Sequence, residues 1–290
     1  HSGDSACCTP PFSLSDKLVE RVCEITRQLA LATGVRGLMN VQYAVKDNTV
    51  SVIEMNPRAS RTVPFSSKAT GVPLAKYAAL IMQGAKIADL NLPASNRELG
   101  YYACKEAVMP FGRFPGADVV LGPEMKSTGE VMGIGRSFPE AYAKTQLAID
   151  YSLPTKGTCF ISVNDRDKRN VIPIARDLSN LGFKIVSTSG TAKALRAAGI
   201  EVEVARRMSE MHPNIGDVIA AGGIQFMINT PGGAGTRNDG FKLRSAAVRH
   251  SLCYVTTLSA ASAFVSAIQL VQRSKLEAFA LQDLASMGEE

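Results

Sequence analysis

The spacing of apolar residues at the start of the chain predicts one helix followed by a two-stranded hairpin. Apolar side chains recur at helical intervals over residues 15–33, and Gly34 then stands where a helix would stop. Residues 36–45 and 50–56 are typical of strands, and Asp47-Asn48 between them is typical of a turn. Further along, the pattern predicts short helices at 73–83 and 138–149, with Gly- and Pro-rich strands and loops at 91–136.

After Pro154 the pattern changes to regular alternation of strands and helices. Strand-like runs at 158–163, 183–188, 200–205, 224–229 and 252–256 alternate with helix-like runs near 167–181, 191–198, 213–221, 240–250 and 258–272. This alternation predicts a parallel α/β sheet. Pro173 is an awkward residue inside the first of these helices and could mark its true start. We place a domain boundary near residue 150, giving domains 1–150 and 151–290, and expect a helical tail at Gln272–Glu290.

Composition and charge limit the classes of function. The chain has 290 residues, 46% of them hydrophobic and 20% charged, which is enough to bury a core. The net charge of +6 is spread along the chain without Lys/Arg runs, which argues against nucleic-acid binding. No apolar run is long enough to cross a bilayer, so no membrane partner is expected. Six scattered cysteines without a CxxC pair predict neither a zinc site nor a disulfide framework, and fit a cytoplasmic location.

Oxygen-bearing side chains on the hairpin suggest a metal site. Glu54 and Asn56 are two apart on one strand and therefore share a face. A three-residue turn at Asp47–Thr49 would set Gln42 directly opposite Glu54. One carboxylate and two amides, completed by ATP phosphates, can hold Mg²⁺. Taken alone, an E-x-N tract is more often the solvated face of a hairpin.

The tract continues into two arginines, Arg58 and Arg61, which could neutralise charge on a transferred phosphoryl group. The stretch from Ile53 to Thr62, with Arg36–Gln42 before it, resembles the catalytic end of ATP-grasp enzymes. Three further stretches narrow the resemblance to the carbamoyl phosphate synthetase family: His1–Ser5, Lys68–Ala75 and Gly122–Gly133.

The resemblance covers nearly the whole chain and implies a fold class. It implies the C-terminal part of an ATP-grasp domain, α+β with an antiparallel sheet. A Rossmann-like parallel α/β domain of the methylglyoxal-synthase-like type would follow.

The resemblance also assigns roles by position. Gln42, Glu54 and Asn56 match metal ligands of the site that phosphorylates carbamate, and Gln42 and Glu54 also count among the ATP-site residues. Arg58 and Arg61 match residues around the phosphates as catalytic groups. His1 and Ser2 match nucleotide contacts. The implied cofactors are ATP and Mg²⁺ or Mn²⁺, with K⁺ as a further candidate.

The family pattern is incomplete in this chain. The sequence begins inside a motif, and the first half of the ATP-grasp domain, the bicarbonate-phosphorylating half and the glutaminase chain are not part of it. We therefore expect a fragment that is inactive alone. The intact enzyme would make carbamoyl phosphate from bicarbonate, glutamine-derived ammonia and ATP for arginine and pyrimidine synthesis. The resemblance further implies a small glutaminase chain as partner and a homo-oligomer.

The second domain carries its own signal for phosphate. The strand ending at Thr188 runs through Ser189 and Gly190 into a helix at Thr191, so hydroxyls and free helix N–H groups meet at one point. Because Lys168 and Arg207 follow other strands and Asn229 ends a fourth strand, they could reach the same sheet edge. Alone, Ser and Thr before a helix are more often simple N-caps.

This stretch resembles the domain that methylglyoxal synthase shares with carbamoyl phosphate synthetases, where UMP or IMP binds as an effector. Lys168, Thr188, Thr191 and Asn229 match nucleotide contacts. Arg207 stands where a lysine is usual, and Pro231 stands where a hydroxyl is expected. These two departures bear on which nucleotide binds, because Arg and Lys are not equivalent at a phosphate.

The resemblance implies a second effector, ornithine. Asp4 and Glu106 in the first domain and Tyr254 and Thr256 in the second match its site in the bacterial enzymes. A ligand that bridges two domains could couple them. The ordinary interpretation of each residue is a cap, an ion pair or core packing.

Three other functions remain open from the residues. Another ATP-grasp ligase, such as a biotin-dependent carboxylase, would share the E-x-N-x-R tract but not the tail. A lyase acting on dihydroxyacetone phosphate would need carboxylates beside the phosphate site, and Asp165 is the available candidate. A purely nucleotide-sensing module without catalysis is the third.

Overall fold

The structure is a computed structural model that describes residues 4–92, 99–114, 119–122, 124–232 and 237–284. It contains two compact units, and we describe each by itself. The hairpin unit comprises Cys7–Lys105, Ile134–Phe138 and Ala278–Glu290. The sheet unit comprises His1–Ala6, Glu106–Gly133 and Pro139–Glu277. The predicted domain boundary near residue 150 stays a prediction.

The hairpin unit begins with the predicted helix and strands. Strand β1, Cys7–Thr9, precedes helix α1, Asp16–Thr33. The helix ends at Gly34, whose φ of 63° is a left-handed conformation that costs glycine little. Strands β2, Asn40–Lys46, and β3, Thr49–Asn56, then form an antiparallel pair. The sequence pattern predicts helix α1 and the hairpin of β2 and β3.

The hairpin reaches the predicted register by a different route. Its turn has two residues, because Lys46 already pairs with Thr49, and both turn residues have positive φ as in a type I′ turn. Continued without interruption, that turn would place Gln42 opposite Ile53. A β-bulge after Gln42 adds one residue to β3 and places Gln42 opposite Glu54. The predicted pairing is confirmed, and the predicted three-residue turn is wrong.

Two helices follow, one of which the sequence pattern missed. Helix α2, Thr62–Thr70, has no counterpart among the predictions, whereas helix α3, Leu74–Met82, was predicted. Strands β4, Tyr102–Val108, and β5, Gly129–Gly135, complete a sheet of order β1-β4-β5, in which β1 and β4 are antiparallel. Helix α4, Phe138–Ala148, was also predicted.

The sheet unit is built on a five-stranded parallel sheet. Its strand order is β10-β9-β6-β7-β8, and every neighbouring pair is parallel. This confirms the predicted parallel α/β architecture. The strands are β6 Thr158–Ser162, β7 Lys184–Ser187, β8 Glu203–Val204, β9 Phe226–Asn229 and β10 Cys253–Val255.

Five helices connect and cover these strands: α5 Val171–Asn180, α6 Ser189–Ala197, α7 Ile215–Ala220, α8 Arg237–Arg249 and α9 Leu258–Arg273. Helix α5 begins two residues before Pro173, so the proline lies in the first turn, where its missing N–H has no intrahelical partner to lose. Helix α9 ends at Arg273, and the chain is next helical in a short 3-10 turn at Leu281–Asp283, followed by Leu284. The predicted helical tail is therefore wrong over residues 274–280.

Aromatic packing links the central strands to the last long helix. Phe226 on β9 stacks on Phe264 of α9 with ring centroids 4.3 Å apart and planes 9° from parallel. Both side chains are fully buried, and Phe160 on β6 is equally buried. Within the described ranges, no helix combines the length and apolarity needed to span a membrane.

This packing gives a stability prediction. Phe264→Ala removes most of a fully buried ring and leaves a cavity, so it should lower the free energy of unfolding of the sheet unit by about 3–5 kcal/mol. Urea unfolding followed by circular dichroism would measure the change. Val204→Ala, at a half-exposed position of β8, is the control and should shift stability by less than about 0.5 kcal/mol. A loss at Phe264 no larger than the control's would contradict the packing.

Candidate functional site

A cavity of about 300 Å³ lies at the carboxyl edge of the parallel sheet, the usual place for a ligand in open α/β folds. Five of the six predicted nucleotide-site residues line it: Lys168, Thr188, Thr191, Arg207 and Asn229. The sixth, Ser189, is exposed at the first position of α6 and does not line the cavity. The structure thus gathers residues that are separated by up to 61 positions in sequence (168 to 229).

The start of α6 faces this cavity through its hydroxyls. Thr188 is the N-cap residue, yet its side chain does not cap the helix and instead pairs with the Ser162 hydroxyl at 3.3 Å. The buried Thr191 hydroxyl accepts a 3.4 Å hydrogen bond from the Val163 N–H. The first N–H groups of a helix have no intrahelical acceptor, so a helix start without a side-chain cap suits an anion. The simple N-cap interpretation of Thr188 is wrong.

A lysine lies over the same helix start. The Lys168 ammonium is 2.6 Å from the Asp165 carboxylate, and a Cβ added at Gly190 would be 3.2 Å from that ammonium. The hydrogen bond and the charge of Lys168 lower the pKa of Asp165. Because the Asp165 side chain is 94% exposed, an incoming phosphate could replace it as the partner of Lys168.

The floor of the cavity is a buried hydrogen-bonded chain. Arg244 donates from Nη1 to the Asn229 side-chain oxygen at 2.9 Å, and the Asn229 amide donates to the Ser162 carbonyl at 3.0 Å. Arg244 is only 3% exposed. Its place in helix α8 gave no sequence signal, because an arginine in a polar helix is expected at the surface.

Sequence reasoning also missed the residues that hold the rim. Asn164 receives a hydrogen bond from the Asp167 N–H at 3.1 Å, and its amide donates to Thr230 at 3.2 Å and to the Pro231 carbonyl at 3.1 Å. These contacts tie the loop after β6 to the loop after β9. Asp239 also lines the cavity and accepts a 2.7 Å hydrogen bond from Ser209. The one signal available was that Asn164 directly follows the predicted strand at 158–163.

The predicted metal residues lie together on the hairpin. Gln42 pairs across the strands with Glu54, and the Asn56 amide donates to the Glu54 carboxylate at 3.2 Å. Arg58, just after β3, donates to the Ala59 carbonyl at 2.9 Å, and its backbone N–H donates to the Asn56 carbonyl at 2.8 Å. The side chain of Glu54 is exposed.

Three further predicted positions complete this account. Arg61 immediately precedes helix α2. His1 and Ser2, predicted as nucleotide contacts, lie outside the described residues. In the part of the chain that the structure describes, no three His, Cys, Asp or Glu side chains form a metal cluster. The metal ligands predicted on the hairpin differ from such a cluster, because they comprise one carboxylate and two amides.

The four residues of the predicted ornithine site all belong to the sheet unit. Asp4 is buried, and its two carboxylate oxygens accept from the Lys126 N–H at 2.7 Å and the Ser127 N–H at 2.9 Å. Glu106 accepts from the Gln146 amide at 3.3 Å. Thr256 is half-buried just after β10.

A residue that the sequence did not single out joins two of these four. The ring of Tyr151 lies 6.4 Å from that of Tyr254 in an edge-to-face contact. Burial, followed by the electrostatic influence of Tyr254, Cys253 and Glu106, raises the pKa of the Tyr151 hydroxyl. Tyr254 and Glu106 thus both influence the Tyr151 hydroxyl.

Comparison with known proteins decides the family. A family model described as "Carbamoyl-phosphate synthase L chain, ATP binding domain" matches residues 1–90, and one described as "MGS-like domain" matches residues 170–256. The "Carbamoyl phosphate synthase large chain, C-terminal section" of Methanopyrus kandleri is 49% identical over 98% of this chain and 54% of its own length. The chain belongs to the carbamoyl phosphate synthase large-chain family.

Full-length relatives give the same result. The carbamoyl phosphate synthase large chains of Synechocystis sp. and Archaeoglobus fulgidus are 50% and 49% identical, each over 98% of this chain. The chain spans about a quarter of those proteins, 26% of each. The expected fold class, the end of an ATP-grasp domain plus a methylglyoxal-synthase-like domain, is confirmed by the two family models.

Two solved structures each match part of the chain. The crystal structure of methylglyoxal synthase from Elizabethkingia anophelis covers 39% of this chain and 79% of its own, with 18% identity and a TM-score of 0.31. A structure titled "Crystal structure of ForH" covers 46% of this chain with 21% identity and a TM-score of 0.27.

Titration can test the ion pair between Lys168 and Asp165 in the cavity. Lys168→Met removes the positive charge beside Asp165, so the pKa of that carboxyl should rise toward its ordinary value. Carboxyl-carbon NMR across acidic pH would measure it. Lys193→Met, on the exposed side of α6, is the matched control and should leave the Asp165 titration unchanged. An unchanged Asp165 pKa in Lys168→Met would show that the two groups do not interact in solution.

Proposed function

We propose that the chain supplies the carbamate-phosphorylating end and the regulatory domain of a carbamoyl phosphate synthase. That enzyme is a ligase that makes carbamoyl phosphate from bicarbonate, ammonia released from glutamine, and ATP. The observation that carries the proposal is the register of the hairpin, which sets Gln42 opposite Glu54 and brings Asn56 into hydrogen-bond contact with Glu54. The similarity to large chains over 98% of this sequence supports it.

The side chains on the hairpin fit a divalent metal held together with ATP. Glu54 offers a carboxylate, and the amides of Gln42 and Asn56 offer neutral oxygens, which are hard ligands of the type that Mg²⁺ and Mn²⁺ accept. Bound Mg²⁺ would supply charge neutralisation for the phosphates of ATP. The Asn56 amide, which donates to Glu54 in the structure, would rotate to present its oxygen. K⁺ is a further proposed ion.

Two guanidinium groups follow this set in the chain. Arg58 and Arg61 would bind the oxygens of the transferred phosphoryl group and hold it in line with carbamate, as charge-assisted hydrogen bonds do in phosphoryl transfer. Arg58 is exposed, and among the described residues its guanidinium donates one hydrogen bond, to the Ala59 carbonyl, which leaves its other donors for phosphate.

The chain alone should be inactive, because positioning and exclusion of water supply most of the catalysis in phosphoryl transfer. The exposure of Glu54 and Arg58 supports this expectation. ATP-dependent formation of carbamoyl phosphate by the isolated 290-residue chain would contradict it.

In a complete synthase, Glu54→Gln removes the only carboxylate of the proposed metal set, so carbamoyl phosphate formation should fall about 100- to 1,000-fold. A coupled assay at several Mg²⁺ concentrations would measure the change. Glu24→Gln, an exposed residue of α1 that pairs with Arg21, is the matched control and should retain full activity. Equal activities of the two variants would refute a metal role for Glu54.

The cavity of the sheet unit is the proposed effector site for a nucleoside monophosphate, UMP or IMP. Lys168 and Arg207 supply charge, and Thr188, Thr191 and Asn229 supply hydrogen bonds around the start of α6. Ser189 would contribute from the rim. The cavity volume of about 300 Å³ is at the small end of ligand pockets. It is enough for a mononucleotide that keeps one side exposed to solvent.

Calorimetric titration with UMP and then IMP tests this site. Lys168→Ala removes a charge-assisted hydrogen bond to phosphate and should weaken binding about 10- to 100-fold. Thr191→Ala should weaken it less, and Lys193→Ala should bind as the unchanged chain does. If neither nucleotide binds, the regulatory proposal falls for this chain, and Arg207 and Pro231 are the residues to examine.

Ornithine is the second proposed effector, with Asp4, Glu106, Tyr254 and Thr256 as its contacts. The proximity of Glu106 and Tyr254 to Tyr151 supports a shared location for two of the four. Ornithine should raise the thermal midpoint of an intact enzyme, and a Tyr254→Phe variant should lose part of that rise. An enzyme that ornithine neither binds nor protects would rule this site out.

The remaining proposals come from the family. We infer domains at 1–150 and 151–290, a small glutaminase chain as partner, homo-oligomers of the intact enzyme, and a cytoplasmic location. The arginine and pyrimidine pathways would use the product.

A further inference from the structure

Two thiols face each other across adjacent strands of the hairpin unit. In the antiparallel pair β1–β4, Cys8 is directly opposite Cys104. Side chains directly opposite in such a pair project from the same face of the sheet. Their Cα atoms are then about 4.5–5.5 Å apart, within the range of about 4.4–6.8 Å found for disulfides. The backbone therefore already has the spacing that a bond between these two sulfurs requires.

The two sulfurs interact in the reduced state. A hydrogen bond from the Cys104 thiol, aided by one from the backbone of Phe12, lowers the pKa of Cys8 to about 7 against the opposing effect of burial. The Cys8 thiol also lies 3.6 Å from the Pro10 carbonyl oxygen. Near neutral pH a large fraction of Cys8 is thus thiolate, which is the form that reacts with oxidants.

The two residues differ in access to solvent. Cys8 is half-buried, whereas Cys104 is only 2% exposed. An oxidant would therefore reach Cys8 first, and Cys104 would act as the resolving thiol beside it. An accessible thiolate next to a resolving cysteine is the arrangement found in redox-sensitive sites.

We propose that Cys8 and Cys104 form a reversible disulfide when the protein meets a peroxide. The Cys8 thiolate attacks one peroxide oxygen, the O–O bond breaks, and after proton uptake Cys8 is a sulfenic acid and one water is released. The Cys104 sulfur then attacks the Cys8 sulfur, the S–O bond breaks, and the hydroxyl leaves with the Cys104 proton as a second water. Two thiols are oxidised and one hydrogen peroxide is reduced to two waters. A dithiol reductant reverses the bond by exchange.

The other cysteines in the chain provide internal comparisons. Cys7 is exposed and lies opposite Lys105, so its side chain projects from the other face of β1. Cys23 is exposed on helix α1. Burial raises the pKa of Cys253 to about 11 and that of Cys159 above its usual range, which makes both poor nucleophiles.

The test treats the chain with stoichiometric hydrogen peroxide and then alkylates it after denaturation. Of the six thiols, two fewer should react than before treatment, and peptide mapping should find Cys8 joined to Cys104. The bond closes a long loop, so the thermal midpoint of the hairpin unit should rise by about 5 °C or more and return after dithiothreitol treatment. A chain in which Cys104 still alkylates fully while Cys8 accumulates sulfinic acid would overturn the proposal.

Matched variants separate this pair from its neighbour. Cys8→Ser should abolish the loss of two thiols and the rise in midpoint, whereas Cys7→Ser should retain both. A disulfide that persists in Cys8→Ser, or disappears in Cys7→Ser, would also overturn the proposal.

A pH profile tests the interaction directly. Alkylation of Cys8 in the folded chain should show a midpoint near pH 7, because the thiolate is the reacting form. In Cys104→Ala the largest cause of the lowered pKa is gone, so the midpoint should move up toward the ordinary value of 9.0. An unmoved midpoint would show that Cys104 does not contact Cys8. If Cys104→Ala does not fold, the profile of Cys8 in Cys7→Ser must still have its midpoint near 7, and a midpoint near 9.0 would overturn the proposal.

Discussion

The buried hydrogen-bonded chain from Arg244 through Asn229 to the Ser162 carbonyl is the constraint on which the cavity depends. It holds the end of β9 against the end of β6 at the centre of the parallel sheet. A guanidinium that is 3% exposed is tolerated only when its hydrogen bonds are satisfied, and removing a partner of a buried charge costs about 3–5 kcal/mol. The ends of β6 and β9 are therefore held in fixed positions before any ligand binds.

The remaining walls of the cavity follow from this floor. Ser162, whose carbonyl receives the Asn229 amide, presents its hydroxyl to Thr188 at the start of α6. Asn164, two residues further, binds the loop that follows β9. Each contact joins segments that lie far apart in sequence but end at the same sheet edge. The site is thus rigid where the strands end and adjustable at Lys168, whose ionic partner Asp165 is exposed.

Much of the fold was accessible from the sequence because its signals are local. Helix α1 with its Gly34 stop, the hairpin and the alternation after Pro154 each follow from periodicity and turn residues within a short window. Helix α2 escaped because Pro64 and its Thr and Val neighbours are poor helix formers, so packing of Phe65 and Ala69 decides its conformation. The predicted helical tail failed over residues 274–280 because helix α9 ends at Arg273, where Ser274 takes an extended conformation.

The candidate sites show the same limit. Residues near the carboxyl ends of strands, such as Asn229 at the end of β9 and Lys168 in the loop after β6, could be predicted because these ends converge at one sheet edge. Arg244 and Tyr151 could not, because their roles come from burial against residues that no sequence spacing connects to them. The pairing of Gln42 with Glu54 was predicted correctly for an incorrect reason, since the assumed turn was one residue too long and the bulge made up the difference.

That difference has a consequence for how this hairpin can vary. A two-residue turn with a bulge and a three-residue turn without one place the same side chains opposite each other at the base of the strands. A deletion of one residue at Thr49, accompanied by loss of the bulge at Ile53, would keep the two-residue turn and leave Gln42 opposite Glu54. The hairpin can therefore change length at its tip without changing the pairing of Gln42 with Glu54. The length of the tip can change in evolution or by mutagenesis, because the bulge at Ile53 can compensate for one residue between the turn and the proposed metal ligands.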